Sequence, residues 1–98
     1  MNAIRIHETG GPEALRYETV PDPVPGPGEA LVRVQAASLN FGEVAFREGR
    51  EPGAVPGWDA AGVIETPADD GSGPPAGARV ITFGWAGAWA ERRAVGTG

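Results

Sequence analysis

Two short stretches of this sequence combine aromatic side chains with an amide or a carboxylate that could bind a ligand. Asn40, Phe41 and Phe46 lie in the first stretch, and Trp58 and Asp59 lie in the second. The rings of Phe41, Phe46 and Trp58 could form the apolar wall of a pocket for a flat substrate, because such pockets are lined mainly by apolar and aromatic side chains. Asn40 and Asp59 would add an amide and a carboxylate to that wall.

Each of these residues also has a purely structural interpretation. Asn40 can cap a helix through its side-chain oxygen, and its amide nitrogen would still be able to donate to a ligand. Phe41 would lie on the apolar face of that helix, where a core position is the alternative to a pocket wall. Trp58 stands in a turn flanked by glycine. A buried Asp59 carboxylate could orient backbone or a neighbouring side chain without reacting.

The composition excludes several classes of function. The sequence contains no cysteine, so a disulfide framework, a thiolate zinc site and a cysteine nucleophile are all absent. Its formal net charge is −5 and its arginines are scattered, which leaves no basic stripe for a nucleic acid. Neither a signal peptide nor an apolar run of membrane-spanning length is present in the sequence. We therefore expect a cytoplasmic protein that binds neither nucleic acid nor membranes.

The length limits the number of domains. A chain of 98 residues can bury one modest core but cannot hold a second folding unit beside it. We therefore expect one domain over residues 1–98. Glycine and proline are abundant but lie between apolar runs, which is typical of an ordered domain with many turns.

The elements that would position the candidate residues are mainly strands. Alternation or short apolar runs predict strands over residues 3–7, 15–20, 30–36, 58–66, 80–83 and 88–95. The stretch 58–66 lacks strict alternation, which predicts a strand covered on both sides. The proline-rich stretch 21–28 favours a stiff connector, with a proline-rich ligand for a recognition domain as the alternative. About six strands in so short a chain indicate a closed or nearly closed β-barrel.

One short helix is predicted after the third strand. Asn40 can cap it, Glu43 stands at the third helical position as in a capping box, and Gly49 ends it. Phe41 and Val44 then share one face. The predicted fold class is therefore mainly β, with one short helix.

Three stretches together resemble the start of a quinone oxidoreductase. They are residues 6–15 (IHETGGPEAL), 25–34 (PGPGEALVRV) and 56–64 (PGWDAAGVI), and their order and spacing agree with the family. Further matches occur at residues 38–43, 77–80 and 87–91. The sequence is thus similar to the N-terminal, GroES-like catalytic domain of a zinc-free medium-chain dehydrogenase/reductase. This resemblance implies a partly open β-barrel.

The resemblance also implies a function. In that family, NADPH transfers a hydride to a quinone or an enone in a cleft between the barrel and a Rossmann domain. Asn40 matches a position at the nicotinamide end of the cleft, so it is a candidate for cofactor binding. Phe41, Phe46, Trp58 and Asp59 are candidates for binding the acceptor.

The sequence departs from its relatives at positions that carry chemistry elsewhere in the family. Zinc-containing relatives have a cysteine after the long strand and a histidine in a Gly-His-Glu turn. Here Ser38 and Asn40 occupy the first region and Trp58 stands in the turn, so no metal site is predicted. Ala45 stands where many quinone reductases carry a tyrosine, so no catalytic residue is assigned.

The sequence also lacks the glycine-rich turn and helix that hold a dinucleotide pyrophosphate. We expect these residues alone to bind NADPH negligibly and to be inactive, with the missing Rossmann domain supplied in cis or by a partner chain. An oligomer is possible. The alternative function is a free-standing GroES-like barrel that serves as an assembly or protein-interaction module.

Overall fold

The computed structural model describes residues 1–6, 15–39 and 55–97. The strands are β1 (Asn2–Ile6), β2 (Leu15–Thr19), β3 (Glu29–Ala37), β4 (Asp59–Thr66), β5 (Arg79–Phe83) and β6 (Arg92–Gly96). Strands β1 and β2 form a two-stranded sheet, and the other four form a sheet in the order β5-β4-β3-β6. All the pairings are antiparallel.

The two sheets are connected through the segment before β6. Ala3 and Ala90 form an isolated antiparallel bridge, and the Ile4 amide donates to the Trp89 carbonyl at 2.9 Å. The described strands thus form two linked open sheets, with no closed barrel among them. The prediction of a mainly β, GroES-like and partly open domain is confirmed. The predicted helix over residues 40–49 lies outside the described residues.

Strand β3 follows its predicted alternation. Ala30 and Val32 are buried, whereas Arg33 and Gln35 are exposed. The buried pair packs with Ile64 of β4 to form the core cluster of the larger sheet. Burial of these apolar side chains adds to the backbone pairing that joins β3 to β4.

The prediction that β4 is covered on both sides is wrong for the described structure. Ala60 and Ile64 are buried, but Ala61 and Glu65 on the opposite face are exposed. The alternation is difficult to read from the sequence because small residues occupy both faces of the strand. Ala60 is buried and Ala61 is exposed although they are the same residue type, so hydropathy does not show which of the two faces the core.

The last strand is shorter than predicted. It begins at Arg92, whereas the apolar pattern predicted a start at Ala88. The amides of Ala88 and Trp89 donate to the carbonyls of Gly57 and Pro56, so this stretch follows the 55–58 segment before it reaches β3. Among the described residues, no helix has the length and apolar character needed to span a membrane.

Candidate functional site

Trp58 and Asp59 lie at the corner where a tight turn enters β4. Gly57 precedes them with φ of 107°, a conformation that side-chain-bearing residues rarely adopt. A Cβ at Gly57 would lie 2.5 Å from Cδ1 of Trp89 and 2.8 Å from Cβ of Ala88. The turn is therefore packed so tightly that only glycine fits, and this fixes the direction in which Trp58 leaves the backbone.

A ladder of backbone hydrogen bonds holds this corner against the 84–89 segment. The Gly87 amide donates to the Val55 carbonyl at 2.8 Å, and the Trp89 amide donates to the Pro56 carbonyl at 3.0 Å. At the far end of the ladder, the Gly84 amide donates to the Trp58 carbonyl at 3.1 Å. These main-chain contacts hold the Trp58 segment against the 84–89 segment.

Three aromatic rings meet at this corner, and we call Trp58, Phe83 and Trp85 the aromatic cluster. The ring centroids of Trp58 and Trp85 are 5.2 Å apart at an interplanar angle of 83°. Those of Phe83 and Trp85 are 5.0 Å apart at 78°. Both pairs have the edge-to-face geometry that aromatic rings favour. Phe83 is 60% exposed and Trp85 is 68% exposed, so much of the ring surface faces outward.

Asp59 anchors the end of β3. Its Oδ2 accepts a hydrogen bond from Ser38 Oγ at 3.2 Å, and its carbonyl accepts from the Ser38 amide at 3.2 Å. The Ser38 carbonyl in turn accepts from the indole nitrogen of Trp89 at 3.2 Å. Asp59 is thus partly buried and bonded to Ser38, and both interpretations of its sequence position, orienting a neighbour and binding the acceptor, stay predictions. These hydrogen bonds lie at the strand end that leads toward Asn40.

A shallow groove runs along the sheet beside Asp59. Its volume is about 290 Å³, close to the lower limit for a small-molecule site. It is lined by Ala36, Ala37, Ser38, Asp59, Ala60, Ala61 and Ile81. Small side chains form most of the floor, and Ile81 is 87% exposed at the rim. Such a groove can hold one face of a flat molecule but cannot enclose it.

A buried cation lies beneath the same corner. Arg93 is only 4% exposed, and its Nη1 donates to the Trp58 carbonyl at 2.7 Å and to Thr82 Oγ1 at 2.9 Å. Its Nη2 donates to the Ala86 carbonyl at 2.8 Å. Burial lowers the pKa of the Arg93 guanidinium, and the negative charge of Asp59 opposes this effect. The ordinary pKa of arginine is so high that the group stays protonated.

The structure brings together only part of the predicted site. Trp58 and Asp59 are adjacent at the corner, as their sequence positions require. Asn40, Phe41 and Phe46 lie outside the described residues, so their proposed roles stay predictions.

Sequence reasoning missed three residues at the corner: Phe83, Trp85 and Arg93. Phe83 could have been found from the alternation in β5, which places it on the face of Ile81. The pairing of Asp59 with Phe83, which brings Phe83 beside the site, becomes visible only in the sheet register. No sequence signal distinguishes the buried Arg93 from its partly exposed neighbour Arg92.

Potential metal ligands are dispersed in this part of the molecule. Within residues 1–6, 15–39 and 55–97, no three or more histidine, cysteine, aspartate or glutamate side chains are grouped so that they could hold a metal ion. The polar groups of the corner instead bind one another and the backbone.

Comparison with known proteins assigns the fold. Residues 26–97 match the family model described as the alcohol dehydrogenase GroES-like domain. The chain is 39% identical over 88 residues to human quinone oxidoreductase, an alignment that covers 84% of this chain and 27% of the relative. The chain therefore belongs to the alcohol dehydrogenase GroES-like domain family.

Solved structures agree with this assignment. A probable oxidoreductase from Mycobacterium abscessus superposes with a TM-score of 0.91 at 38% identity, covering 99% of this chain and 32% of that protein. The quinone oxidoreductase of Escherichia coli, solved in complex with NADPH, superposes with a TM-score of 0.86 at 26% identity, covering 97% of this chain and 31% of that protein.

The relatives confirm the resemblance to quinone oxidoreductases of the medium-chain dehydrogenase/reductase type. The chain spans about a quarter of the length of the curated relative (27%) and about a third of the solved structures (32% and 31%).

Proposed function

We propose that this chain is the acceptor-side domain of a zinc-free oxidoreductase that passes a hydride from NADPH to a quinone or an enone. The observation that carries the proposal is the outward-facing aromatic cluster beside Asp59, in a domain whose relatives include quinone oxidoreductases. Exposed apolar clusters of this kind often mark binding surfaces.

The acceptor would lie flat against the corner. A quinone has two apolar faces and carries its carbonyl oxygens at the edge of the ring. Its faces suit the rings of Phe83 and Trp85, which are both more than half exposed. Its edge would point toward the groove lined by Ser38 and Asp59. Together with Trp58, and with Phe41 and Phe46 from the preceding stretch, these residues would form one wall of the acceptor site.

The fit of this chain to NADPH is partial. In the described residues, no strand leads through a glycine-rich turn into a helix whose N-terminus could hold a pyrophosphate. We therefore propose that a Rossmann domain, in cis or on a partner chain, holds most of the cofactor. On this chain, Asn40 would contact the nicotinamide end.

The chemistry would then be divided between cofactor and protein. NADPH supplies the hydride when it is bound. The residues of this chain bind and orient the acceptor and exclude water from one side of the cleft. No side chain of this chain is proposed as a proton donor.

A fusion protein tests the proposal. Residues 1–98 would replace the corresponding domain of the Escherichia coli quinone oxidoreductase, and acceptor-dependent oxidation of NADPH would be measured over a panel of quinones and enones. We expect saturable turnover from the fusion and none from residues 1–98 alone.

The intact Escherichia coli enzyme is the positive control, and NADPH binding by the fusion confirms that its cofactor domain is folded. A fusion that folds and binds NADPH but reduces no acceptor contradicts the proposal. That result would favour the alternative of a free-standing assembly module.

A further inference from the structure

In addition to the backbone hydrogen bonds between them, the two segments that carry Trp58 and Trp85 share one side-chain partner, Arg93. Trp58 lies on the first segment, and Trp85 lies beside Ala86 on the second. Arg93 donates from Nη1 to the Trp58 carbonyl at 2.7 Å and from Nη2 to the Ala86 carbonyl at 2.8 Å. The guanidinium thus spans the gap between the backbones that present the two indole rings.

We propose that Arg93 is the positioning residue of the acceptor wall, which sets the edge-to-face arrangement of Trp58 and Trp85 by clamping the backbone carbonyls of Trp58 and Ala86. The clamp itself is independent of the reaction. Its part in acceptor binding rests on the function proposed above.

The planar fork of arginine suits this task. Its terminal nitrogens are held at a fixed separation and angle, so two carbonyls that bind them are fixed relative to each other. Lysine carries a single nitrogen on a flexible chain and cannot impose that geometry. A lysine at position 93 would therefore keep the positive charge but would not fix the two carbonyls relative to each other.

The loop is packed onto the guanidinium. A Cβ at Gly84 would lie 2.6 Å from Nη2 of Arg93, so a side chain at this position would require the guanidinium to move. The clamp also reaches the sheet, because Nη1 donates to Thr82 Oγ1 at 2.9 Å and that hydroxyl donates to the Ala60 carbonyl at 3.2 Å. One group thereby fixes the loop, β5 and the start of β4 as a unit.

Fold stability alone is a poor reason for a cation at this position. Burying a charge is costly, and apolar residues of similar volume often replace buried charged groups with little loss of stability. Arg93 binds three neutral oxygens, on Trp58, Thr82 and Ala86. The carbonyl oxygens of Trp58 and Ala86 lie on the segments that carry the two indole rings. The guanidinium therefore contacts the backbone that positions these rings.

The test separates ring placement from stability. Near-ultraviolet circular dichroism is recorded on the 98-residue chain. The difference between the parent and a Trp85→Phe variant defines the signal that depends on Trp85 and its contacts with Trp58 and Phe83, which we call the pair signal. Arg93→Met removes all the hydrogen bonds of the clamp, whereas Arg93→Lys retains the charge without the fork. Ile64→Val is the control, because it weakens the core away from the rings.

We expect Arg93→Met to lose most of the pair signal and Arg93→Lys to lose at least half, whereas Ile64→Val retains it in the folded protein. Full retention of the signal in Arg93→Lys overturns the proposal, and this variant decides the question if Arg93→Met fails to fold.

Kinetics of the fusion protein give a second readout. We expect Arg93→Lys to raise KM for the quinone on the order of tenfold while kcat changes little, since a displaced wall weakens acceptor placement. Ile64→Val should leave both constants unchanged. An unchanged KM despite a lost pair signal overturns the role of the clamp in acceptor binding.

Failure of the function proposed above has a different signature. If the parent fusion binds NADPH and reduces no acceptor, the proposed function fails, while a lost pair signal in the arginine variants still supports the clamp.

Discussion

The two ends of β4 are held by different forces. Near the C-terminal end of β4, Ile64 is 3% exposed and packs against Ala30 and Val32 in the core. At its start, Trp58 and Asp59 are held by hydrogen bonds from Arg93 and Ser38. Apolar packing holds the sheet together at one end, and hydrogen bonds from polar side chains hold Trp58 and Asp59 at the other.

This division explains why large aromatic side chains remain outside the core. The core cluster is built from small and medium side chains, whereas Phe83 and Trp85 are more than half exposed. A corner fixed by hydrogen bonds does not need to bury its rings to stay in place. The ring surfaces are then available to a ligand or to another domain.

Ile64→Ala should have the largest effect on stability, because it opens a cavity in a small core. We expect the free energy of unfolding to fall by about 2–5 kcal/mol, measured by urea denaturation. The near-ultraviolet spectrum of the remaining folded protein should match that of the parent. A changed tryptophan spectrum would show that the two ends of β4 are coupled, which contradicts the division.

Gly57→Ala should affect the other end. A positive φ costs a residue with a side chain about 1–3 kcal/mol, and the new methyl group would also clash with Trp89 and Ala88. We expect both a loss of stability and an altered tryptophan spectrum.

Gly71→Ala is the matched control for this variant. Gly71 has φ of +81°, but no atom lies within 4 Å of its Cβ position. It should therefore show only the backbone cost and leave the tryptophan spectrum unchanged. Equal losses of stability in the two glycine variants would indicate that the close packing around Gly57 adds nothing to the cost of the substitution.

Trp85→Ala should separate function from stability. It removes two edge-to-face contacts, each worth about 0.5–1.5 kcal/mol in general, from a side chain that is largely exposed. We expect a modest fall in the free energy of unfolding and a clear rise in KM for the quinone in the fusion protein. Ile81→Ala, also on the exposed face of β5, serves as the comparison and should raise KM less. The reverse order would shift the acceptor from the rings to the groove.

Asp22→Asn should have the smallest effect, since Asp22 is exposed and lies outside both the core cluster and the aromatic cluster. The Met1 ammonium, 3.0 Å from Asp22, lowers the pKa of that carboxyl by hydrogen bonding to it. A lowered folded-state pKa adds stability above the ordinary carboxyl pKa, and this is lost as the pH falls through the folded-state value.

We therefore expect Asp22→Asn to have a slightly lower Tm than the parent at neutral pH. The two curves should converge as the pH falls through the lowered folded-state pKa of Asp22, below which both side chains are uncharged. The measurement is Tm against pH, with Asp69→Asn as an exposed control. A constant difference down to the lowest pH would contradict the assigned ion pair.

Sequence patterns predicted the parts of the fold that depend on local alternation. Strand β3 was readable because Ala30 and Val32 alternate with charged and polar residues. Strand β4 was misread as doubly covered because Ala60 and Ala61 are identical in type and opposite in burial. The start of β6 was misplaced because the apolar residues before Arg92 follow the turn at Gly57 instead.

Only part of the candidate site could be predicted from the sequence, because some of its residues are brought together by long-range strand pairing. Trp58 and Asp59 stood out through their residue types and a family motif. Phe83 and Trp85 reach the same corner through the pairing of β4 with β5, which is a long-range property of the sheet. The Arg93 guanidinium donates to the carbonyls of Trp58 and Ala86, and the presence of an arginine in the sequence does not by itself indicate these contacts.

The central claim is that this corner binds the electron acceptor, and the most direct test is acceptor-dependent oxidation of NADPH by the fusion of residues 1–98 with the rest of the Escherichia coli quinone oxidoreductase. We predict turnover that saturates with quinone, with a higher KM when Trp85 is replaced by alanine. A folded, NADPH-binding fusion whose KM is the same with and without the Trp85 ring, or which reduces no acceptor, would contradict the claim.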